Sequence, residues 1–423
     1  MPQFRPAFLI ALVPALFLAC EPEKDPKPEP TTCAADGQLS IEPVLLPLSS
    51  GQYVLRWESA EEHNFAHCLT LSRDGGEAVE IEIVARVNEV SAEDPFASTD
   101  EEYPLTNHLY DARLDVAQAG AYRWALVSAG QTREGNFTVS RGDTAHVALI
   151  GDTDTNLKEG DLAITEELLK QVTASGAEAL VHAGDIVYNV YVSPWADFFA
   201  TFGPLMRQMP MLPAIGNHEY EFQGEIDQYS RQYLAADPSA ADGGRAMVLD
   251  VGPVRFIAAD SNGPASAGSN SDDQQSEFTD AQEDAMWQAV EAALADAGDQ
   301  IKVVIFHHPV YSLSHHLPVL SLRERMLDLD ERYDINFVLN GHNHVYERFD
   351  VPEKFHTLVS GGGGAGLYTI EDAENTDAES TAHRVQAAEA FHWVDLSFTR
   401  TKLTLKAVDL GGETIEQAQL DIR

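Results

Sequence analysis

Residues 178–188 read EALVHAGDIVY. Ala179 to Ala183 form an apolar run too short for a helix, and Gly184-Asp185 ends it. A short apolar run closed by a turn signal reads as a buried strand. This one presents a carboxylate at its C-terminal end, with Tyr188 three residues later. The C-terminal ends of strands in open α/β sheets are where ligand sites assemble, so the question is whether neighbouring stretches do the same.

They do. HVALIGD (146–152) is a second apolar run ending in Gly-Asp. It is followed by GDLAITEELLKQVTASG (160–176), with apolar positions at Leu162, Leu168, Leu169 and Val172 and a stop at Gly176, which predicts a helix. AIGNHEY (214–220), VIFHHPVYS (304–312) and LNGHNHVYER (339–348) repeat the theme of strand, then glycine or histidine, then metal-type ligands. Thr279 and Gln282 form a capping-box pattern. The helix they open has the apolar stripe Met286, Ala289, Val290, Ala293 and Leu294. A further helix is expected near Leu320–Leu329. Strands return from HTLVS (356–360), as in HWVDLSFT and KLTLKAVDL. This alternation predicts an α/β domain over 144–423.

The preceding segment is different. LSIEPVLLPL, GQYVLRWES, HCLTLSRDGG, VEIEIVARV, AYRWALVSAG and GNFTVS are short β-rich runs punctuated by Gly, Asp and Ser. They predict a small all-β sandwich over 36–140. His63 and His67 are the one metal-type spacing there, and they read as a chance surface pair.

The chain has 423 residues, with 27 Lys+Arg against 68 Asp+Glu, a formal net charge of −41. That balance disfavours a nucleic-acid duplex or an anionic membrane surface as partner. An anionic substrate therefore needs local positive charge. Residues 1–20, MPQFRPAFLIALVPALFLAC, hold one charge (Arg5) and an apolar run too short to span a bilayer. The Pro-rich, charged EPEKDPKPEP follows. Together these resemble a bacterial lipoprotein leader (1–19), with Cys20 lipidated and residues 20–35 as a tether. A plain secretory signal is the alternative. Export to the cell envelope, periplasmic or at the surface, is expected in either case, and an oxidising compartment lets Cys33 and Cys68 pair. Two free thiols are the alternative.

The ordered set GD (151–152), GDxxY (184–188), GNHE (216–219), VxxH (304–307) and GHxHxYER (341–348) resembles the five motif blocks of the calcineurin-like metallophosphoesterases. GDxxY resembles the purple acid phosphatase branch, and the upstream sandwich is similar to the fibronectin-III-like domain of many such enzymes. The resemblance implies a β-sandwich flanked by helices and a binuclear metal centre. It makes Asp185 a bridging carboxylate. Asp152, Tyr188 and His344 would complete one site, and Asn217, His307 and His342 the other. A phenolate suits Fe(III), and imidazole with a neutral amide suits Fe, Zn or Mn in a divalent state. The implied reaction is hydrolysis of small phosphate monoesters by a metal-bound hydroxide. His218, His315 and His316 would contact substrate, one of the latter two protonating the leaving group. A phosphodiesterase or nucleotide pyrophosphohydrolase on the same site is the first alternative, and a surface binding protein with a vestigial site the second.

Several residues are assigned supporting or bland roles. His308 adjoins a ligand and reads as structural, while Glu219, Tyr346, Glu347 and Arg348 read as groups that orient ligands. Asp154 stands where the resembled branch often has glycine. An exposed turn aspartate is the plainer expectation; a carboxylate near the first metal, shifting preference away from Fe(III), is the other. GGGGAG (361–366) formally fits a dinucleotide-binding pattern, but no helix signal follows, so it reads as a loop near the metal cleft.

Overall fold

The computed structural model describes residues 39–49, 52–59, 67–89, 106–116, 118–128, 130–155, 162–188, 192–220, 234, 240–263, 279–370 and 377–423. The N-terminal region consists of strands β1 (Leu39–Ser49), β2 (Gln52–Ser59), β3 (Cys68–Arg73), β4 (Val79–Ile81), β5 (Val84–Glu89), β6 (Thr106–Asp115), β7 (Gly120–Ser128) and β8 (Gln131–Val139). They make two four-stranded sheets, ordered β1-β2-β6-β5 and β4-β3-β7-β8. The two-residue side-chain period of a strand sends Leu55 and Trp57 inward from β2, where they join Leu69, Trp124 and Leu126 of the facing sheet.

VEIEIVARV is not one strand. It divides at Glu82-Ile83, so that β4 pairs with β3 and β5 pairs with β6 in the other sheet. β6 itself was not foreseen: Tyr110, Ala112 and Leu114 face the core, but Asp111, Arg113 and Asp115 on the other face make TNHLYDARLD read as a solvated stretch. His67 is half-buried rather than a surface accident: it accepts a hydrogen bond from Trp57 Nε1 (3.3 Å) and packs on Tyr110. Cys68 is disulfide-bonded. Residues 1–35, including Cys20 and Cys33, lie outside the described residues, as does His63.

The second region alternates strand and helix. Its elements are β9 (Thr144–Ile150), α1 (Leu162–Ser175), β10 (Ala179–His182), α2 (Val192–Met206), β11 (Met211–Pro213), β12 (Met247–Val251), β13 (Val254–Ala258), α3 (Asp280–Asp296), β14 (Ile301–Ile305), α4 (Leu320–Tyr333), β15 (Phe337–Asn340), β16 (Tyr346–Asp350), β17 (His356–Ser360), α5 (Ala378–His383), β18 (Arg384–Ala388), β19 (His392–Thr399), β20 (Lys402–Asp409) and β21 (Thr414–Asp421). A six-stranded sheet runs β11-β10-β9-β19-β20-β21, and a seven-stranded sheet runs β12-β13-β14-β15-β17-β16-β18.

The sheets face one another across an apolar layer that includes Val147, Leu149, Val181 and Leu396 from the first and Phe256, Val303, Ile305 and Leu339 from the second. The alternate residues point outward. Ala148, Ile150 and Leu180 meet Leu168 and Val172 of α1 and Phe198 and Phe202 of α2. Ile257, Val304 and Val338 meet Met286 and Val290 of α3 and Leu322 and Met326 of α4. The result is a four-layer helix–sheet–sheet–helix stack, the α/β architecture expected, with an all-β region before it.

α3 starts at the expected capping box, with Thr279 capping and Gln282 reciprocating. Its buried stripe contains Trp287 where Ala289 was expected. α2 was not foreseen: its buried Trp195, Phe198, Phe199, Phe202 and Met206 lie on one face, but Pro204 near its end reads as a helix break. Here α1 packs against α2, and Ile41, Val44 and Leu46 of β1 share its apolar cluster. Among the described residues no helix is long and apolar enough to cross a membrane.

Candidate metal centre

The loops that leave β9, β10, β11, β14 and β15 converge at one end of the two sheets. Asp152 follows β9, Asp185 follows β10, Asn217 and His218 follow β11, His307 follows β14, and His342 and His344 follow β15. These turns are tight. Asp152, Asp154, Asp185 and His342 all have left-handed backbone, with φ of 57°, 42°, 50° and 70°. Such conformations are uncommon outside glycine and cluster at functional sites. Gly216 stands where any Cβ would overlap the carboxylate of Asp185. Only glycine lets the Asn217 loop approach the bridge this closely.

Three donor sets form, each with its ligand atoms mutually within 4.8 Å: Asp185, His307 and His342; Asp152, Asp185 and His344; and Asp154, Asp185 and His218. Asp185 is common to all three. His307 Nε2 lies 3.0 Å from Asp185 Oδ2 and 3.1 Å from Asn217 Oδ1. His342 Nδ1 is 3.2 Å from the same His307 nitrogen. His344 Nε2 is 3.6 Å from Asp152 Oδ1. The far nitrogens are tied to backbone carbonyls: His307 Nδ1 to Ala183 O (2.9 Å) and His344 Nδ1 to Gly366 O (2.7 Å). Each tie leaves Nε2 pointing into the centre, as a metal-ligating imidazole requires.

The electrostatics fit cations. Burial by itself would raise the Asp185 carboxyl, but the charges of His307 and His218 outweigh it and hold it far below the carboxylate range. Burial opposes charge on His307, yet Asp185 and Asp152 bring it up to about 10. Without a cation, a proton on His307 balances this pocket, and a cation held by these residues would take that proton's place. Burial lowers His342 well below the usual imidazole range and His344 to about 4, so both stand neutral with a lone pair to give. Burial raises Asp152 well above its ordinary value and brings Asp154 to about 8. Asp154 is thus no exposed turn residue: it is 3% exposed, and its Oδ1 has no hydrogen-bond partner. Carboxylates and imidazoles packed around shared space, with an orphaned carboxylate oxygen, are a donor set suited to two hard or borderline cations.

The other candidates gather around this core. The Tyr188 ring stacks on His218 at 5.0 Å between centroids, and His218 Nδ1 bonds the Tyr188 carbonyl oxygen. His316 stacks on His342 at 4.0 Å and is half-buried, while His315 is exposed beside it. His308 is buried, with Nδ1 at 2.8 Å from Ser261 Oγ. GGGGAG lies against the first block, Gly363 N donating to Gly151 O.

Glu219 does more than its motif position suggested. Its carboxylate accepts from four backbone amides, those of Asp185, Ile186, Val187 and Gly216. It thereby clamps the Asp185 loop to the Asn217 loop. Glu347 accepts from Ser312 and Arg384 at the foot of the His315–His316 loop. Tyr346 and Arg348 instead bind Glu416.

Three contributors carried no motif signal. Asn343 holds the His316 peptide from both ends, accepting from its N–H (2.8 Å) and donating to its carbonyl (3.0 Å). Tyr368 lies parallel to the His344 ring at 4.1 Å and packs on His315. Arg384 reaches Glu347 from another strand. In sequence Asn343 was visible only as the spacer of an HxH, and Tyr368 and Arg384 come from distant segments.

Residues 145–346 match the family model of the calcineurin-like phosphoesterases. That stretch is just under half of the chain, and the chain also resembles the purple acid phosphatases. It is 26% identical over 274 residues to the probable inactive purple acid phosphatase 1 of Arabidopsis thaliana, covering 55% of this chain and 42% of that one. It is 24% identical over 280 residues to purple acid phosphatase 15 of the same plant, covering 62% of this chain and 49% of that one. The chain thus spans less than half the length of these relatives. The structure of purple acid phosphatase PPD1 from yellow lupin (Lupinus luteus) seeds shares the fold, with a TM-score of 0.67 at 18% identity over 90% of this chain and 74% of that one.

Proposed function

We propose that this protein is an exported, lipid-tethered phosphatase that hydrolyses small phosphate monoesters at a pair of metal ions. The observation that carries the reading is the single carboxylate of Asp185 shared by all the donor sets. Asp152, Tyr188 and His344 hold one ion, and Asn217, His307 and His342 the other. Fe(III) suits the phenolate of Tyr188, with Fe, Zn or Mn opposite. When bound, such a pair neutralises phosphoryl charge and acidifies water. It also supplies the positive field that a chain of net charge −41 otherwise lacks.

The protein's own groups do the rest. His218 sits at the rim, part-exposed and 3.9 Å from Asp185, able to hold a phosphoryl oxygen. Asn343 fixes the backbone of His316, whose ring lies over His342 at the mouth. His315 and His316 neutralise substrate oxygens, and one of them gives the leaving oxygen its proton.

The bonded state of Cys68 supports export. Residues 1–19 are read as the leader, Cys20 as the lipid anchor, 20–35 as the tether, 36–140 as a fibronectin-III-like domain and 144–423 as the catalytic domain. A second reading, a binding protein with a vestigial centre, is favoured by the relative named as probably inactive. The presence of all seven ligand positions weighs against it.

The test combines metal analysis, a visible spectrum and a panel of phosphate mono- and diesters. Expected are two metals per chain, a phenolate-to-iron absorption lost in Tyr188→Phe, and monoester hydrolysis abolished by Asp185→Asn or His307→Ala. Preference for diesters would move the substrate class. Bound metal with no hydrolysis of any ester would establish the vestigial reading.

A further inference from the structure

The motif ligands leave one part of the centre unexplained. Asp154 is 3% exposed, and its Oδ1 has neither solvent nor a hydrogen-bond partner. It is not loosely placed. Its backbone N–H is bonded to Asp185 O at 3.1 Å, and its left-handed φ of 42° turns the side chain inward. That orientation brings its carboxylate within 4.8 Å of donor atoms of both Asp185 and His218. An unsatisfied carboxylate oxygen buried beside two other carboxylates is unfavourable unless a cation faces it. The other buried carboxyl groups nearby are satisfied: Glu219 has four backbone amides, and Asp152 accepts from His342 N–H.

We infer that Asp154 is itself a metal ligand, supplying an additional anionic donor on the flank of Asp185 that carries His218. This inference rests on the two-metal reading and extends it. The centre then has three carboxylates, Asp152, Asp154 and Asp185, rather than two. A set richer in oxygen anions binds a hard divalent cation more tightly and lessens the dependence on the phenolate of Tyr188.

The test uses the full chain, stripped with a chelator and titrated calorimetrically with Mn²⁺ alone. Asp154→Asn keeps the shape and removes the charge, and Asp154→Gly suits the left-handed backbone. The wild type is expected to take two ions. Each variant should weaken one of them by about tenfold or more and leave the other nearly unchanged.

Thermal unfolding separates a ligand from a structural residue. In EDTA the variants should unfold near the wild-type temperature, because without a cation Asp154 Oδ1 has no bonding partner to lose. In saturating Mn²⁺ they should unfold below it, because binding stabilises them less. Variants that take both ions as the wild type does overturn the inference, even if loss of the Asp154–His218 contact shifts the pH profile of turnover. Equal destabilisation with and without metal, up to failure to fold, also overturns it. A wild type that takes no ion overturns the two-metal reading along with it.

Discussion

Glu219 shows what a single buried side chain can organise. Burial and the charge of Asp185 raise its carboxyl to about 7, against the pull of the Gly216 and Val187 amides. Those amides belong to the two loops that carry Asp185 and Asn217, so the clamp sets the distance between ligands on opposite sides of the centre. Glu219→Gln replaces one accepting oxygen with an amide donor facing backbone N–H groups. It is expected to lower metal affinity by about 10- to 100-fold, read by Mn²⁺ titration, while the far-ultraviolet circular dichroism is unchanged. Unaltered affinity would show that the loops hold their spacing without it. Asp185, His307 and His342 were legible as candidate ligands because their motifs sit at strand ends. The clamp was not, because backbone amides leave no trace in a sequence.

At the scale of elements, local chemistry and tertiary cover divide the work. α3 is announced by Thr279 and Gln282, whose side chains satisfy the first free amides of the helix. Thr279→Ala should cost about 1 kcal/mol, seen as a lower urea midpoint with the same slope and unchanged metal content. A change in metal content would mean that the start of α3 reaches the centre. α2 has no such announcement: its buried Trp195, Phe198 and Phe202 do share one face at i, i+3 and i+7, but the stretch opens and closes with Pro194 and Pro204, which read as breaks in a helix pattern. The division of 79–89 into β4 and β5 is similar. A run of alternating residues looks continuous until the two sheets it serves are known.

Across the whole molecule, the N-terminal sheets and the layered sheets of the second region share buried surface. Leu55, Trp57 and Trp124 fall in the same apolar cluster as Val147 and Phe256. Gly135 in β8 marks one close junction, where a Cβ would overlap both the Arg207 carbonyl after α2 and the Trp124 ring. Gly135→Ala must move backbone, so it is expected to destabilise by about 1–3 kcal/mol and to lower the cooperativity of thermal unfolding. A scan matching the wild type would show that the regions are joined more loosely than this contact implies.

Residue order alone determined the class of fold and the main set of candidate ligands. Strands ending in Gly-Asp, Gly-Asn-His and Gly-His leave few topologies able to use them, and ligand chemistry is written in side-chain type. Tertiary structure decided which groups support those ligands and what each bland residue does. Asp154 reads as a turn residue in one dimension and is a buried, unsatisfied carboxylate in three. Burial depends on what the rest of the chain packs against a residue, and that sum is formed only when distant segments meet.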